Sequence, residues 1–181
     1  MEYVEVWDDE GRPTGIIKPR HEVHRTGEWH PTVDVWLINP RGELLLQQRS
    51  IHKEGNPLKW NSSSAGHVTA GTTPLFTARQ ETIEEIGLDL PESNFRFLFT
   101  SQELFVMPNQ TTLARELAHV YIAEADISTT ALRLQAEEVT DVRWVACAEL
   151  ERLIKEGDPQ LVSHPEQYAQ LFAYLRERFG R

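Results

Sequence analysis

The stretch GHVTAGTTPLFTARQETIEEIGL (residues 66–88) sets the reading of the whole chain. Its first third is small and polar, too poor in large apolar groups to pack as a helix. Thr73 followed by Pro74 then reads as an N-cap and a first helical residue. Leu75, Phe76, Ala78, Thr82, Ile83 and Ile86 recur at roughly helical spacing, and Gly87 closes the run as a C-cap. Within this predicted helix Glu81, Glu84 and Glu85 stand at i, i+3 and i+4. That spacing gathers three carboxylates on one face, where they repel one another. An acidic, solvated helix face is the ordinary reading of such a pattern. Gly66 and Gly71 before the helix and Gly87 after it favour a bound divalent cation instead. Mg²⁺ is the natural choice, with Mn²⁺ as the alternative, because hard cations take oxygen ligands and share them with phosphates.

Outward from this helix, short β-rich segments alternate with turn signals. Residues 3–7 and 14–18 flank DDEGRP as a hairpin. Residues 32–39 and 44–49 are strands joined by the turn Asn39–Gly42. Residues 50–59 read as a loop with cations in and beside it. Residues 95–105, 116–124 and 139–146 read as strands, and 147–156 and 164–178 as helices, the last with Tyr168, Leu171, Phe172 and Leu175 on one side. Strands on both sides of a central helix, with a C-terminal helix, make an α/β domain in which helices cover a sheet. At 181 residues the chain, 1–181, is read as a single domain.

Composition narrows the partners. Hydrophobic residues are 40% of the chain and charged residues 25%, the profile of a globular domain that can bury a core. A formal charge of −10 argues against a dedicated nucleic-acid binder, which needs a basic stripe. It leaves room for a small phosphorylated substrate whose charge a cation offsets. Cys147 is the single cysteine, which excludes an internal disulfide or a cysteine-based zinc site and fits a reducing compartment. The acidic N-terminus is no signal peptide, and no apolar run reaches the roughly 18 residues of a membrane span. A cytoplasmic location and no membrane partner are expected; the oligomeric state is not legible.

The 66–88 stretch resembles the Nudix box, G-x5-E-x7-R-E-U-x-E-E-x-G-U, where U is bulky and apolar. Gly66, Glu81, Glu84, Glu85, Gly87 and Leu88 match without a gap. Thr72 replaces the first Glu, Gln80 the Arg that is thought to pair with it, and Thr82 the apolar residue. Loss of Thr72's and Gln80's expected charges together leaves neither partner alone, and Arg79 is turned about 100° away from the vacated position. The resemblance implies a Nudix α/β/α sandwich with a mixed sheet and a C-terminal helix. It also implies metal-assisted hydrolysis of a diphosphate linked to another group.

A second resemblance covers about residues 3–178. HRTGEWHPTVDVWLIN (24–39) and LLLQQRSIHKEGNPLKWNSSSAGH (44–67) look like type I isopentenyl-diphosphate isomerases and, more closely, their hydrolase-like Nudix relatives. The isomerase pattern implies a second metal, with His24, His30, His67 and Glu116 at its ligand positions, although Ala114 stands where a further carboxylate is expected. His67 is read as a contact to substrate or metal. Arg20, Arg49 and Lys53 match positions that hold the diphosphate, a role suited to Arg and Lys on their own chemistry. Each of these residues also has a plain reading as a strand-edge histidine or surface charge. His52, His119 and His164 are read as structural or surface.

The reading is therefore a Mg²⁺-dependent diphosphohydrolase. Glu81, Glu84 and Glu85 hold the metal, and Glu84, Glu85 or Glu116 takes the proton of the attacking water. The isomerase's proton-transferring cysteine falls at Ala65, which cannot carry a proton, so isomerisation is disfavoured. A non-catalytic ligand-binding module is the other rival. The organic group is open among an isoprenyl chain, a nucleoside and a nucleotide sugar. Trp29, Trp36 and Trp60 bracket the site in sequence, with Trp36 read as core.

Overall fold

A computed structural model of the chain describes residues 2–53, 55–106 and 113–180. The N-terminal hairpin is β1 (Tyr3–Trp7) and β2 (Pro13–Pro19), paired antiparallel from Tyr3↔Pro19 to Trp7↔Pro13. A short helix α1 (Arg20–Thr26) follows and ends at Gly27, whose φ of 70° suits the left-handed turn only glycine adopts readily. Its buried Val23 packs with Val4 and Val6, which seats the helix against the hairpin and fixes where His24 stands. This helix is absent from the reading of the sequence, because seven residues with one large apolar group leave no periodicity to detect.

The central strand β3 (Trp29–Ile38) runs parallel to β8 (Leu113–Glu124) over its whole length, from Trp29↔Arg115 to Ile38↔Glu124. On its other edge β3 meets β1 at one end, β6 (Ser64–His67) in the middle and β4 (Glu43–Arg49) at the other end. β4 carries β5 (Trp60–Asn61) and β9 (Val139–Ala146), and β8 carries β7 (Phe95–Val106). Among the described residues these strands form one nine-stranded mixed sheet. The segment 60–70, too poor in apolar groups for a helix, thus supplies two short strands instead.

Alternation along β3 divides the core in two. Val33, Val35 and Leu37 pack with Leu45, Tyr121 and Val142 under α2 (Pro74–Ile86), which contributes Ala78 and Ile86. Trp36 and Ile38 point to the other face and pack with Val120, Ile122 and Leu150 under α3 (Cys147–Glu156) and α4 (Pro165–Phe179), the latter through Tyr168, Leu171, Phe172 and Leu175. All ten residues of β3 are therefore buried, and the architecture is the expected sandwich of helices on both faces of a mixed sheet. Each fully buried leucine in these layers contributes on the order of 2 kcal/mol. Among the described residues no helix is long and apolar enough to cross a membrane.

α2 forms as its caps dictate. Thr73 Oγ1 accepts from the Phe76 amide at 3.2 Å, Pro74 occupies the first turn, and the Gly87 amide returns to Ile83 O at 2.9 Å. Thr82, where a bulky apolar residue is expected, is fully buried; its hydroxyl donates to Ala78 O at 2.7 Å and meets Ser64 Oγ at 3.0 Å. The polar substitution is thus satisfied by a second polar residue on β6.

Candidate active site

Strand register builds a floor of chemistry-bearing side chains. Cross-strand pairing lines up His30 on β3, Glu116 on β8 and Glu103 on β7 in one row. The next row holds His67, Thr32, Ala118 and Ser101; Ala65 and Asp34 pair in the one after. Successive residues of a strand alternate faces, so these rows share one side. Above this floor opens a cavity of about 610 Å³. Glu81, Glu84, Glu85, Glu116, Arg20, Arg49, Lys53, His24 and His67 all border it. His30 does not line the cavity; it is fully buried and meets it through His24.

Two of the helix carboxylates are set by their surroundings. Glu85 Oε2 accepts from the Ala65 amide and from Gln47 Nε2, each at 3.0 Å, so one oxygen is pinned and the other remains available. Glu81 lies directly over Gly66, where a Cβ would fall 2.1 Å from Glu81 Oε1. The first glycine of the motif is therefore a clearance that only glycine provides. Burial, reinforced by Glu85 and Glu84, pushes the Glu81 carboxyl up to about 8. Burial likewise pushes Glu85 up to about 7 against the pull of Lys53. Glu84 is the exposed member of the trio. Buried acids that resist ionisation in a cleft are a common mark of a functional site.

The second cluster is His24, His30, His67 and Glu116, whose ligand atoms lie within 4.8 Å of one another. His24 Nε2 is 3.2 Å from His30 Nε2 and 3.3 Å from His67 Nε2. Glu116 Oε1 is 3.4 Å from His67 Nε2 and 3.8 Å from each of the other two. Four elements converge here: α1, β3, β6 and β8. Burial, with the neighbouring imidazoles or cations, holds all three histidines down at about 4. They are neutral at pH 7, the form in which imidazole offers a lone pair to a metal.

The three cations frame the entrance differently. Arg20 pairs with Glu2 at 2.8 Å and reaches His67 Nδ1 at 3.5 Å. Arg49 donates Nε to Gly55 O at 2.8 Å, and Lys53 pairs with Glu138. Arg20 opens α1, Arg49 ends β4, and Lys53 sits in the 50–59 loop, which is shaped by Asn56 and Leu58, both with positive φ, at 50° and 61°.

Several positions correct the sequence reading. His52 and His164, read as structural or surface, border the cavity, together with Glu103, Asn61 and Asp34, which that reading passed over. The alternation of the 95–105 strand was a signal that could have drawn attention to Glu103. His119 does stay apart, on the opposite face, edge-on to Trp7. No tryptophan borders the cavity among the described residues. Trp36 is core, as expected. Trp29 donates to Asp9 at 2.9 Å, and Trp60 lies under the Arg143 guanidinium, 4.1 Å from its ring centre. Sequence adjacency brought them near the site, but the pleat turned them away from it. Thr72 donates to Thr69 O at 2.7 Å, and Arg79 pairs with Asp89 at 2.6 Å, outside the cavity. Arg79 therefore does not stand in for the missing arginine.

Comparison with known proteins agrees with this geometry. A NUDIX domain profile matches residues 28–164. Nudix hydrolase 3 of Arabidopsis thaliana is 36% identical over 182 residues, which take in 98% of this chain but 24% of that longer protein. An uncharacterized Nudix hydrolase of Listeria monocytogenes is 34% identical over 160 residues, covering 86% of this chain and 88% of the other. Isopentenyl-diphosphate Delta-isomerase of Streptomyces avermitilis matches at 29% over 150 residues, 81% of this chain and 72% of that one. Among solved structures, DR0079 from Deinococcus radiodurans superposes with a TM-score of 0.72 at 20% identity, covering 96% of this chain and 99% of that one.

Proposed function

The chain belongs to the Nudix hydrolase family, and from that premise we propose that it is a divalent-metal-dependent diphosphohydrolase. It cleaves a diphosphate joined to an organic group. The observation that carries this reading is the single cavity bordered by Glu81, Glu84 and Glu85 of α2, by the His24–His67–Glu116 cluster, and by Arg20, Arg49 and Lys53. Glu81 and Glu85 lose solvent here while Glu84 stays exposed, and a cation would relieve the repulsion among the three.

The donor set fits the metal. Glu81, Glu84 and Glu85 offer only oxygens and would hold Mg²⁺ or Mn²⁺; Gly66 leaves the clearance that Glu81 needs. When bound, such a cation supplies Lewis-acid polarisation of the diphosphate and a lower pKa for water. His24, His30, His67 and Glu116 form a second donor set, richer in nitrogen and suited to a second divalent ion. Arg20, Arg49 and Lys53 neutralise the phosphate oxygens as charge grows on them. Water's oxygen attacks phosphorus, the bridging oxygen leaves, and a carboxylate takes the water's proton: Glu84, Glu85 or Glu116. Gln47 and the Ala65 amide keep Glu85 in place through one oxygen, which leaves the other for this work.

Isomerisation has less support. Ala65 borders the cavity where the isomerase resemblance expects a cysteine, and a methyl group transfers no proton. The chain is read as one domain that needs no second copy to complete this site, and its partner is a small-molecule diphosphate. The test is phosphorus NMR with Mg²⁺, using isopentenyl diphosphate in one tube and a nucleoside diphosphate in another. The expected result is a monophosphate and free phosphate from at least one of them. Tight binding of both with no turnover under saturating Mg²⁺ would make the protein a ligand-binding module.

A further inference from the structure

One wall of the cavity takes no part in the metal and phosphate chemistry. His164, the residue before α4, places Nδ1 3.0 Å from Glu103 Oε2 on β7 and Nε2 2.9 Å from Asn61 Oδ1 on β5. Both partners are acceptors, so the ring donates from both nitrogens and carries a positive charge. Burial opposes that charge, but the Glu103 bond and nearby Asp34 outweigh it and raise the His164 pKa. The arrangement is braced from behind. Gln167 donates to Asp34 at 3.0 Å and to Glu103 at 3.5 Å, and Trp36 Nε1 holds the Gln167 oxygen at 3.0 Å.

The bracing leaves defined capacity facing the cavity. With Oδ1 engaged by His164, the Asn61 side chain has its NH₂ to offer as a donor. Glu103 has further lone pairs to offer as an acceptor beyond those used by His164, Gln167 and Ser101. Glu103 is also the cross-strand neighbour of Glu116, so this wall adjoins the reacting end of the site. A donor and an acceptor held apart by a charged ring suit hydroxyl groups, which both give and take hydrogen bonds. A hydrocarbon pressed against the same wall would strip water from a charged pair and return nothing.

We propose that Asn61, Glu103 and His164 recognise the organic group of the substrate, and that this group is hydroxylated, a sugar or polyol, rather than an isoprenyl chain. The proposal rests on the diphosphohydrolase reading and adds the substrate class to it.

The experiment compares ribose 5-diphosphate with isopentenyl diphosphate, matched in carbon number, on the full chain with Mg²⁺. Affinity is measured by calorimetry and kcat/KM by phosphate release. The expected result is at least a 100-fold preference for the sugar diphosphate, since sites built to bond a hydroxyl strongly reject analogues without one. Asn61→Ala and His164→Phe should each reduce that ratio at least tenfold; because the ratio compares two substrates on one protein, a partly unfolded variant does not mimic the effect. Equal or better use of isopentenyl diphosphate overturns the proposal. If neither compound is cleaved, the hydrolase reading stands or falls with the nucleoside diphosphate in the phosphorus NMR test. The calorimetric ratio then decides the proposal on its own: a preference for the sugar diphosphate sustains it and equal affinities overturn it.

Discussion

Gly66→Ala separates the fold from the chemistry at a single atom. Gly66 lies in β6 opposite Val33, and its φ is not among the positive ones, so the backbone accepts alanine. The new Cβ would stand 2.1 Å from Glu81 Oε1, 2.2 Å from Cδ and 2.7 Å from Oε2. Ordinary contact needs well over 3 Å, so the carboxylate must retreat by about 1 Å or more, and it can, because it ends a flexible side chain. A misplacement of that size at a reacting centre costs about 100-fold in rate. Stability should change by less than about 1 kcal/mol, because the unfolded chain loses freedom while Glu81 moves. The assays are kcat at saturating Mg²⁺, Mg²⁺ affinity by calorimetry, and urea denaturation. Glu81→Gln combined with Gly66→Ala should cost no more than Glu81→Gln alone, since both act through one carboxylate. Wild-type turnover in Gly66→Ala, or independent additive losses in the pair, would refute the placement of Glu81 at the metal.

Three further outcomes follow from the same geometry. Glu85→Gln should lower turnover by orders of magnitude while the midpoint of denaturation holds, and near-normal turnover would remove Glu85 from the metal site. In metal-free protein the folded pKa values of Glu81 and Glu85, raised to about 8 and about 7, make the folded state bind more protons than the unfolded state above pH 4.5. His24, His30 and His67, held at about 4, act oppositely, and that effect fades only as the unfolded imidazoles finish titrating near pH 7.5. From pH 6.5 to 8 the acids outweigh the imidazoles and stability should fall, by about 1 kcal/mol net, and Mg²⁺ should restore it; thermal scans showing a flat or rising trend would contradict the burial of these acids. The Thr72→Glu, Gln80→Arg double variant should bind Mg²⁺ several-fold more tightly by calorimetry. Unchanged affinity and rate would mean that the loss of the two charges has no consequence.

The sequence exposed most strongly what periodicity and caps control. The helix at 74–86, bounded by Thr73 and Gly87, and the amphipathic α4 followed from spacing and punctuation. So did the long β-rich runs of β3, β4, β7 and β8. What stayed hidden depends on register. His30, Glu116 and Glu103 form one row only because β3, β8 and β7 pair at those positions, and a chain read linearly gives no pairing. His164 reads as structural or surface from the sequence; its bond to Glu103, 61 positions away, appears only in the fold. Resemblance to a known family supplied the His24–His30–His67–Glu116 grouping, which spacing alone does not suggest. The tryptophans were drawn toward the site by proximity in sequence; alternation turns Trp29 away from it, and Trp36, on the same face as Asp34, lies further along the strand under α4.

Position 65 does two jobs that can be separated. Its hold on Glu85 comes from the main-chain N–H, which every residue except proline carries, while its side chain faces the substrate space. The residue there can be exchanged without loosening the hold on Glu85. A scaffold wired in this way lets one codon change what lines the cavity and leave α2 undisturbed.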